Sequence, residues 1–347
     1  MRVKTLALGA LTLVAAALIQ PALAAEEVTL KVAHFLSPNA PAHQKVILPW
    51  CERLTQESAG KIKCQIYPAM QLGGTPSQLV DQVRNGVADV VWTAPGYSTG
   101  RFPAIETLEL PFMVSSALDG SRAAWEFYQT RAAGDFEAYK VLAVHIDGGA
   151  QFSTAKTEIK TLADLKGLKI RVPTRLAAKE VIAFGGAPVS MPAGQVTEAI
   201  SKGVVDGALA PWEVLHQTKL DEVTKFHIDP PAGKPMYVAT VLAVLMNKDT
   251  YARMSPELKA IIDRNSGLPL VENFGKAWEE ARDEARKAAE TRGNKLATLT
   301  PADYDAMVKA AEVVETDWIK DVAAKGLDGK ALAGAARSIS AKYSSAK

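Results

Sequence analysis

The sequence predicts an α/β protein of two related lobes, followed by a helical C-terminal region. Three observations carry this reading. Short apolar strands alternate with helical stretches from residue 28 to residue 209, the pattern of sheets covered by helices. One unit occurs twice, 117 residues apart: Gly86-Val87-Ala88-Asp89 leads into an apolar strand ending at Ala94-Pro95, and Gly203-Val204-Val205-Asp206 into one ending at Ala210-Pro211. Each Gly follows a helix, where a left-handed residue commonly ends it. The chain has 347 residues, 48% hydrophobic and 22% charged, enough for packed cores and, at about 150 residues per domain, for two units.

In chain order, residues 1–24 read as a secretory signal peptide cleaved after Ala24. Arg2 and Lys4 precede an uncharged apolar run over 6–19, then Pro21 and the small-x-small Ala22-Leu23-Ala24. A membrane anchor is the competing reading, disfavoured by the Ala-rich core and the cleavage pattern. Residues 28–32 alternate as a strand, 37–41 form a Pro-rich loop, 41–58 are helical and 62–67 extended. Cys51 on that helix and Cys64 on that strand are the only cysteines, and an exported chain favours a disulfide between them over two buried thiols. Further helices are expected over 76–85, 176–184 and 196–203, and strands over 88–93, 141–146, 168–172 and 206–209. From Ser255 onward the pattern turns almost wholly helical, with stretches at 255–265, 268–292, 301–324 and 329–342.

Forty Lys+Arg against 38 Asp+Glu give a net charge of +2, and without Arg2 and Lys4 the balance is zero. Such a balance argues against a protein held by a basic surface on nucleic acid or on an anionic membrane. No later stretch is long and apolar enough to span a bilayer. P-loop, G-x-G-x-x-G and H-E-x-x-H patterns are absent. Ser153-Thr154-Ala155-Lys156 matches S-x-x-K without its S-D-N and K-T-G partners and reads as chance. Five scattered histidines and two cysteines form no metal-ligand cluster. These absences favour a binding protein over an enzyme. In open α/β sheets ligands sit beyond the carboxyl ends of strands, so 93–97 and 210–213 are expected to face each other across an interlobe cleft.

Residues 162–175, Leu-Ala-Asp-Leu-Lys-Gly-Leu-Lys-Ile-Arg-Val-Pro-Thr-Arg, stand in order with Gln71-Leu72-Gly73-Gly74, Leu110-Pro111-Phe112-Met113 and Gly203-Val204-Val205-Asp206-Gly207. Over nearly its whole length past the leader, the chain thereby resembles the DctP-type solute-binding proteins of tripartite ATP-independent periplasmic (TRAP) transporters. The resemblance implies a two-lobed periplasmic binding protein of Venus-flytrap form, with hinge strands and long C-terminal helices spanning both lobes. It places lobe I at 25–147 with part of 236–275, and lobe II at 148–235 with part of 276–347. It implies a periplasmic monomer without cofactor or catalytic activity. Such a protein captures an organic acid, closes by hinge motion and delivers the acid to membrane permease subunits driven by an ion gradient.

Arg171 matches the family's carboxylate-binding arginine, and its forked guanidinium suits a carboxylate as a lysine does not. Arg175 is either a second basic contact or the solvent-exposed start of a helix. Relatives that bind sialic acid or C4-dicarboxylates often carry another Arg where this chain has Gln151, and an Asn where it has Ala210. The less polar site suggests a ligand with an apolar or aromatic body against Trp212, with Trp92 either a second wall or core. Asn39, His43, Thr93, Tyr97, Phe112 and Gln151 are further wall candidates. Glu213 either accepts a ligand hydroxyl or caps the helix it begins. A binding protein serving a sensor kinase or chemoreceptor is the alternative, and a secreted hydrolase a third reading that lacks a nucleophile–base set.

Overall fold

A computed structural model describes residues 27–344; the signal-peptide reading of 1–24 lies outside the described residues. Eleven strands are found among them: β1 (Val28–His34), β2 (Ile62–Tyr67), β3 (Val90–Thr93), β4 (Tyr139–Ile146), β5 (Ala150–Thr154), β6 (Lys169–Val172), β7 (Ala187–Ser190), β8 (Gly207–Pro211), β9 (Phe226–Asp229), β10 (Val241–Asn247) and β11 (Lys295–Thr298). They form two sheets, β2-β1-β3-β10-β4 and β7-β6-β8-β5-β9-β11. In the first, β2, β1 and β3 run parallel and β10 lies antiparallel between β3 and β4. In the second, β7, β6 and β8 run parallel and β5 lies antiparallel between β8 and β9. The sheets therefore share one topology, and each takes its fourth strand from a segment that has just crossed from the other lobe.

The repeated Gly-x-x-Asp unit has a shared structural basis. Gly86 and Gly203 sit at φ 72° and 69°. At the first, Val87 N–H donates to Gln82 O (2.9 Å) and Gly86 N–H to Val83 O (3.3 Å). At the second, Val204 N–H donates to Ala199 O (2.8 Å) and Gly203 N–H to Ile200 O (2.9 Å), so both helices end in the same paired-carbonyl cap. Asp89 then pins the neighbouring parallel strand, accepting Lys31 N–H at 2.9 Å, as Asp206 accepts Lys169 N–H at 2.8 Å.

Apolar clusters cover both faces of each sheet, the first around Leu108, Phe127 and Trp318 on one side and Trp50, Leu54 and Phe274 on the other. The second sheet packs Phe152 and Leu209 on one side and Ala208, Ala210 and Trp212 on the other. The helix Leu268–Thr291 packs on Ala117–Phe127 in the first lobe and on Trp212–Leu215 in the second. Its Gly275 is needed for that approach, because a Cβ there would stand 2.7 Å from the Leu118 Cα. Pro301–Ala323 spans both lobes, with Tyr304, Met307 and Ala311 in a second-lobe cluster and Val314, Trp318 and Val322 in a first-lobe cluster. Gly329–Ser344 packs on Ala117–Phe127 of the first lobe. Among the described residues no helix is long and apolar enough to cross a membrane.

The structure refines two of the expected elements. The helical C-terminal region is interrupted by β11, four residues long, which pairs with β9 because its alternating side chains complete that sheet edge. The helix at 41–58 opens with a π-helical turn, Ala42–Ile47, before the α-helix Leu48–Glu57. Cys51 and Cys64 are joined as a disulfide, with Cα atoms 5.8 Å apart.

Candidate functional site

The carboxyl ends of β1, β3, β6 and β8 converge on a cavity between the sheets, as open α/β sheets place their ligands. It encloses about 450 Å³, counting its opening to solvent. Phe35, Trp92, Tyr97 and Trp278 line it from the first lobe, and Arg171, Pro173, Pro211 and Glu213 from the second. Asp147 and Thr240 line it from the two segments where the chain crosses between the sheets.

Arg171 is 2% exposed. Its Nε donates to Met191 O (3.0 Å) and its Nη1 to Leu209 O (3.3 Å), which fixes the plane of the guanidinium. Nη2 is buried and makes no hydrogen bond of ordinary geometry, and the Tyr97 phenol lies close enough to interact with the guanidinium. Burial lowers the arginine's pKa, with Tyr97 and Asp147 acting against it, and the group stays cationic at any pH a protein tolerates. Two carboxyls share the cavity. Asp147 Oδ1 accepts Gly149 N–H and Thr240 N–H, both at 3.0 Å, and so ties the two crossing segments together. Glu213 Oε1 accepts Gly148 N–H at 2.6 Å, while its Oε2 is buried without a partner. Burial raises both carboxyl pKa values, and the charge of Asp147 raises that of Glu213 further.

The aromatic wall is rigid. Trp92 stacks on Phe35, centroids 4.9 Å apart and planes within 7°. Trp92 Nε1 donates to His145 Nε2 at 3.0 Å, and the His145 ring stacks on Phe274 at 3.9 Å. Burial pushes the imidazole down to about 3, which keeps Nε2 free to accept that bond.

The sequence candidates divide. Arg171, Tyr97 and Glu213 line the cavity, and the segments expected to face each other do so through Tyr97, Pro211 and Glu213. Trp212 does not. It follows Ala208 and Ala210 on the opposite face of β8, donates to Asp229 Oδ1 (2.8 Å) and lies 5.0 Å under the Arg286 guanidinium. The cavity is lined instead by Trp92, which the sequence left between wall and core, and by Phe35 and Trp278, both of which sequence reasoning missed.

Arg175 is neither a contact in this cavity nor a solvent-exposed helix start. It pairs with Glu106 and, at 2.9 Å, with Asp321, in an outer cavity that shares Tyr97 and Pro173 with the inner one. Gln151 is buried opposite Ala210 within the second sheet, and Thr93 is buried at the end of β3; neither lines the cavity. Asn39 is exposed on its loop, and His43 Nδ1 lies 2.9 Å from His34 Nε2. Phe112, at φ 58°, packs edge-on against Tyr304 at 5.3 Å in the second lobe's core. Glu213 does not cap its helix, because its carboxyl is turned to Gly148. Asp147 was also missed, although an acid directly after β4 and before Gly148-Gly149 is a signal the strand-end rule can use.

Residues 32–321 match the family model described as DctP, bacterial extracellular solute-binding protein, family 7. Among solved structures, a TRAP solute-binding protein from a marine metagenome, specific for aromatic acid ligands and holding 3-hydroxybenzoate, is 44% identical. The match covers 91% of this chain and 99% of that one, with a TM-score of 0.89. A TRAP solute-binding protein from Rhodoferax ferrireducens T118 with copurified benzoate is 42% identical over 91% and 98% of the two chains, TM-score 0.88. One from Bordetella bronchiseptica with bound (R)- and (S)-mandelate is 28% identical over 91% and 99%, TM-score 0.82.

Proposed function

Because the chain belongs to the DctP family of bacterial extracellular solute-binding proteins, the receptors of TRAP transporters, we propose that its own solute is an aromatic carboxylic acid. The family consists of periplasmic binding proteins and not of enzymes. The observation that carries the reading is one buried cation with a spare donor, Arg171 Nη2, set among Phe35, Trp92 and Trp278. A carboxylate completes the guanidinium, and the rings bury a flat apolar body. The benzoate and 3-hydroxybenzoate complexes of proteins more than 40% identical support the same class.

In this reading the loaded receptor delivers its acid, as a monomer, to TRAP permease subunits. The leader is removed after Ala24. Lobe I comprises 25–147 with part of 236–275, and lobe II comprises 148–235 with part of 276–347. Asn39, His43, Thr93, Phe112, Gln151, Arg175 and Trp212 lie outside the lining of the inner cavity.

Calorimetry with benzoate tests the proposal. Benzoate is expected to bind and to raise the melting temperature by mass action, and Arg171→Ala to weaken binding by about 2 kcal/mol or more. Full affinity in Arg171→Ala would refute the role given to the arginine.

A further inference from the structure

The cavity holds more polar chemistry than a benzoate-like ligand uses. We propose that Glu213, backed by Asp147, is a specificity-determining residue that reads a hydroxyl on the ligand's body and rejects a second carboxylate. The ligand class is thereby narrowed to hydroxylated aromatic monocarboxylic acids. The inference rests on the aromatic-acid reading and deepens it.

The argument begins from the one cation. Arg171 supplies the charge for a single carboxylate, and the other ionisable groups lining the same cavity are the acids Asp147 and Glu213 and the phenol of Tyr97. Arg171 and Glu213, each 2% exposed, both leave a buried side-chain atom without a hydrogen bond of ordinary geometry, Nη2 and Oε2. A buried polar atom left in that state costs about 1–3 kcal/mol, so a ligand that reaches it gains what the free protein lacks. Glu213 is held at Oε1 by Gly148 N–H, which leaves Oε2 as the atom for a ligand. The approach is close: a Cβ on residue 148 would stand 2.8 Å from that Oε2 and would push the carboxyl out of its present position.

Buried beside Asp147, the Glu213 carboxyl favours its protonated form, with an O–H to give and a lone pair to receive. A hydroxyl, also both donor and acceptor, matches it in either direction. A second ligand carboxylate places a further negative charge against Asp147 with no second guanidinium to meet it, and like charge in a dry site is strongly unfavourable. The neighbouring cations do not line the cavity and are already paired: Arg282, whose charge reaches Glu213, is held by Asp283, Arg175 by Glu106 and Asp321, and Arg286 by Asp229.

The test is calorimetry on the full-length mature protein with benzoate, 3-hydroxybenzoate, 4-hydroxybenzoate and benzene-1,3-dicarboxylate. At least one hydroxybenzoate is expected to bind about tenfold tighter than benzoate, and the dicarboxylate at least about tenfold weaker. In Glu213→Leu, which removes both donor and acceptor, the readout is the ratio of hydroxybenzoate to benzoate affinity, which a merely structural role would leave alone; it is expected to fall toward one, while the dicarboxylate penalty, set by Asp147, is retained. Benzoate binding without a hydroxyl preference, equal binding of the dicarboxylate, or an unchanged ratio in the variant would overturn this inference alone. The wild-type series decides the matter even if the variant does not fold. No binding of any of the four acids overturns the aromatic-acid reading, and this one with it.

Discussion

Two carbonyls, Met191 O and Leu209 O, hold the Arg171 guanidinium before any ligand arrives, so little side-chain entropy remains to be lost on binding. Other buried groups carry the pH dependence. Glu109 is 1% exposed, accepts Val241 N–H at 3.0 Å, and is pushed up to about 8 by burial and by the charge of Glu106. Its folded-state value lies above the ordinary 4.5, so its contribution to stability is fully present below about 4.5 and is lost as pH rises toward 8. Asp147 and Glu213 act in the same sense. His34 and His145, pushed from 6.5 down to about 3, act oppositely, and their loss falls on the acid side of 6.5. The urea midpoint of the ligand-free protein is therefore expected to fall between pH 6.5 and 8, and less steeply in Glu109→Gln; an equal slope in that variant would remove Glu109 from the account. At this scale the sequence pointed to Arg171, which does line the cavity, and preferred Trp212, which lies outside it, to Trp92, which lines it. Trp92 and Trp212 both stand near strand ends, and only the pairing of each strand decides which side its last residue faces.

Among the elements, the disulfide ties the helix Leu48–Glu57 to β2 across 13 residues. The double variant Cys51→Ser/Cys64→Ser is expected to lose about 3 kcal/mol in urea unfolding, chiefly because its unfolded chain is less constrained. The caps at Gly86 and Gly203 make a sharper prediction. A Cβ at Gly203 meets nothing within 4 Å, so Gly203→Ala carries the left-handed backbone penalty alone, about 1 kcal/mol in the same assay, with solute affinity unchanged. A loss well above that would mean the cap does more than turn the chain. Both features were readable because they are local: a cysteine pair on a helix and the next strand, and a glycine at the end of an apolar helical run. β5, β7, β9, β10 and β11 were not read. β7 pairs with the strand just before it, β6, but β5, β9, β10 and β11 are each defined by partners farther away in the chain, as β10 is by β3 and β4.

Across the molecule, the shared topology of the two sheets explains how binding can move them. β5 and β10 each begin just after a crossing and pair inside the lobe they enter, so the crossings at 147–149 and 230–240 are the natural hinge. Asp147, which bonds Thr240 of the other crossing, and Gly148, which bonds Glu213, place that hinge at the wall of the cavity. Away from it, Arg175 of the second lobe meets Glu106 of the first and Asp321 of the helix Pro301–Ala323. A contact that holds the lobes together favours the closed population. Arg175→Ala is therefore expected to weaken solute binding about tenfold without touching the ligand. The radius of gyration from small-angle scattering is expected to fall on loading in wild type and to fall less in the variant. An unchanged radius on loading of the wild type would count against hinge closure.

Taken by itself, the sequence determined the two-lobed α/β class, the repeated cap-and-strand unit, the cysteine pair and the arginine at the end of β6. Each of these is written in residues close together, or in a string of motifs whose order is itself the signal. Only the tertiary structure decided that β10 and β5 exchange between lobes, that Arg175 is spent on acids, that Trp92 and not Trp212 faces the cavity, and that Asp147 and Glu213 share it with Arg171. The physical reason is the same in each case. The direction of a side chain at a strand end, and whether a charge is left spare, depend on neighbours contributed by distant parts of the chain.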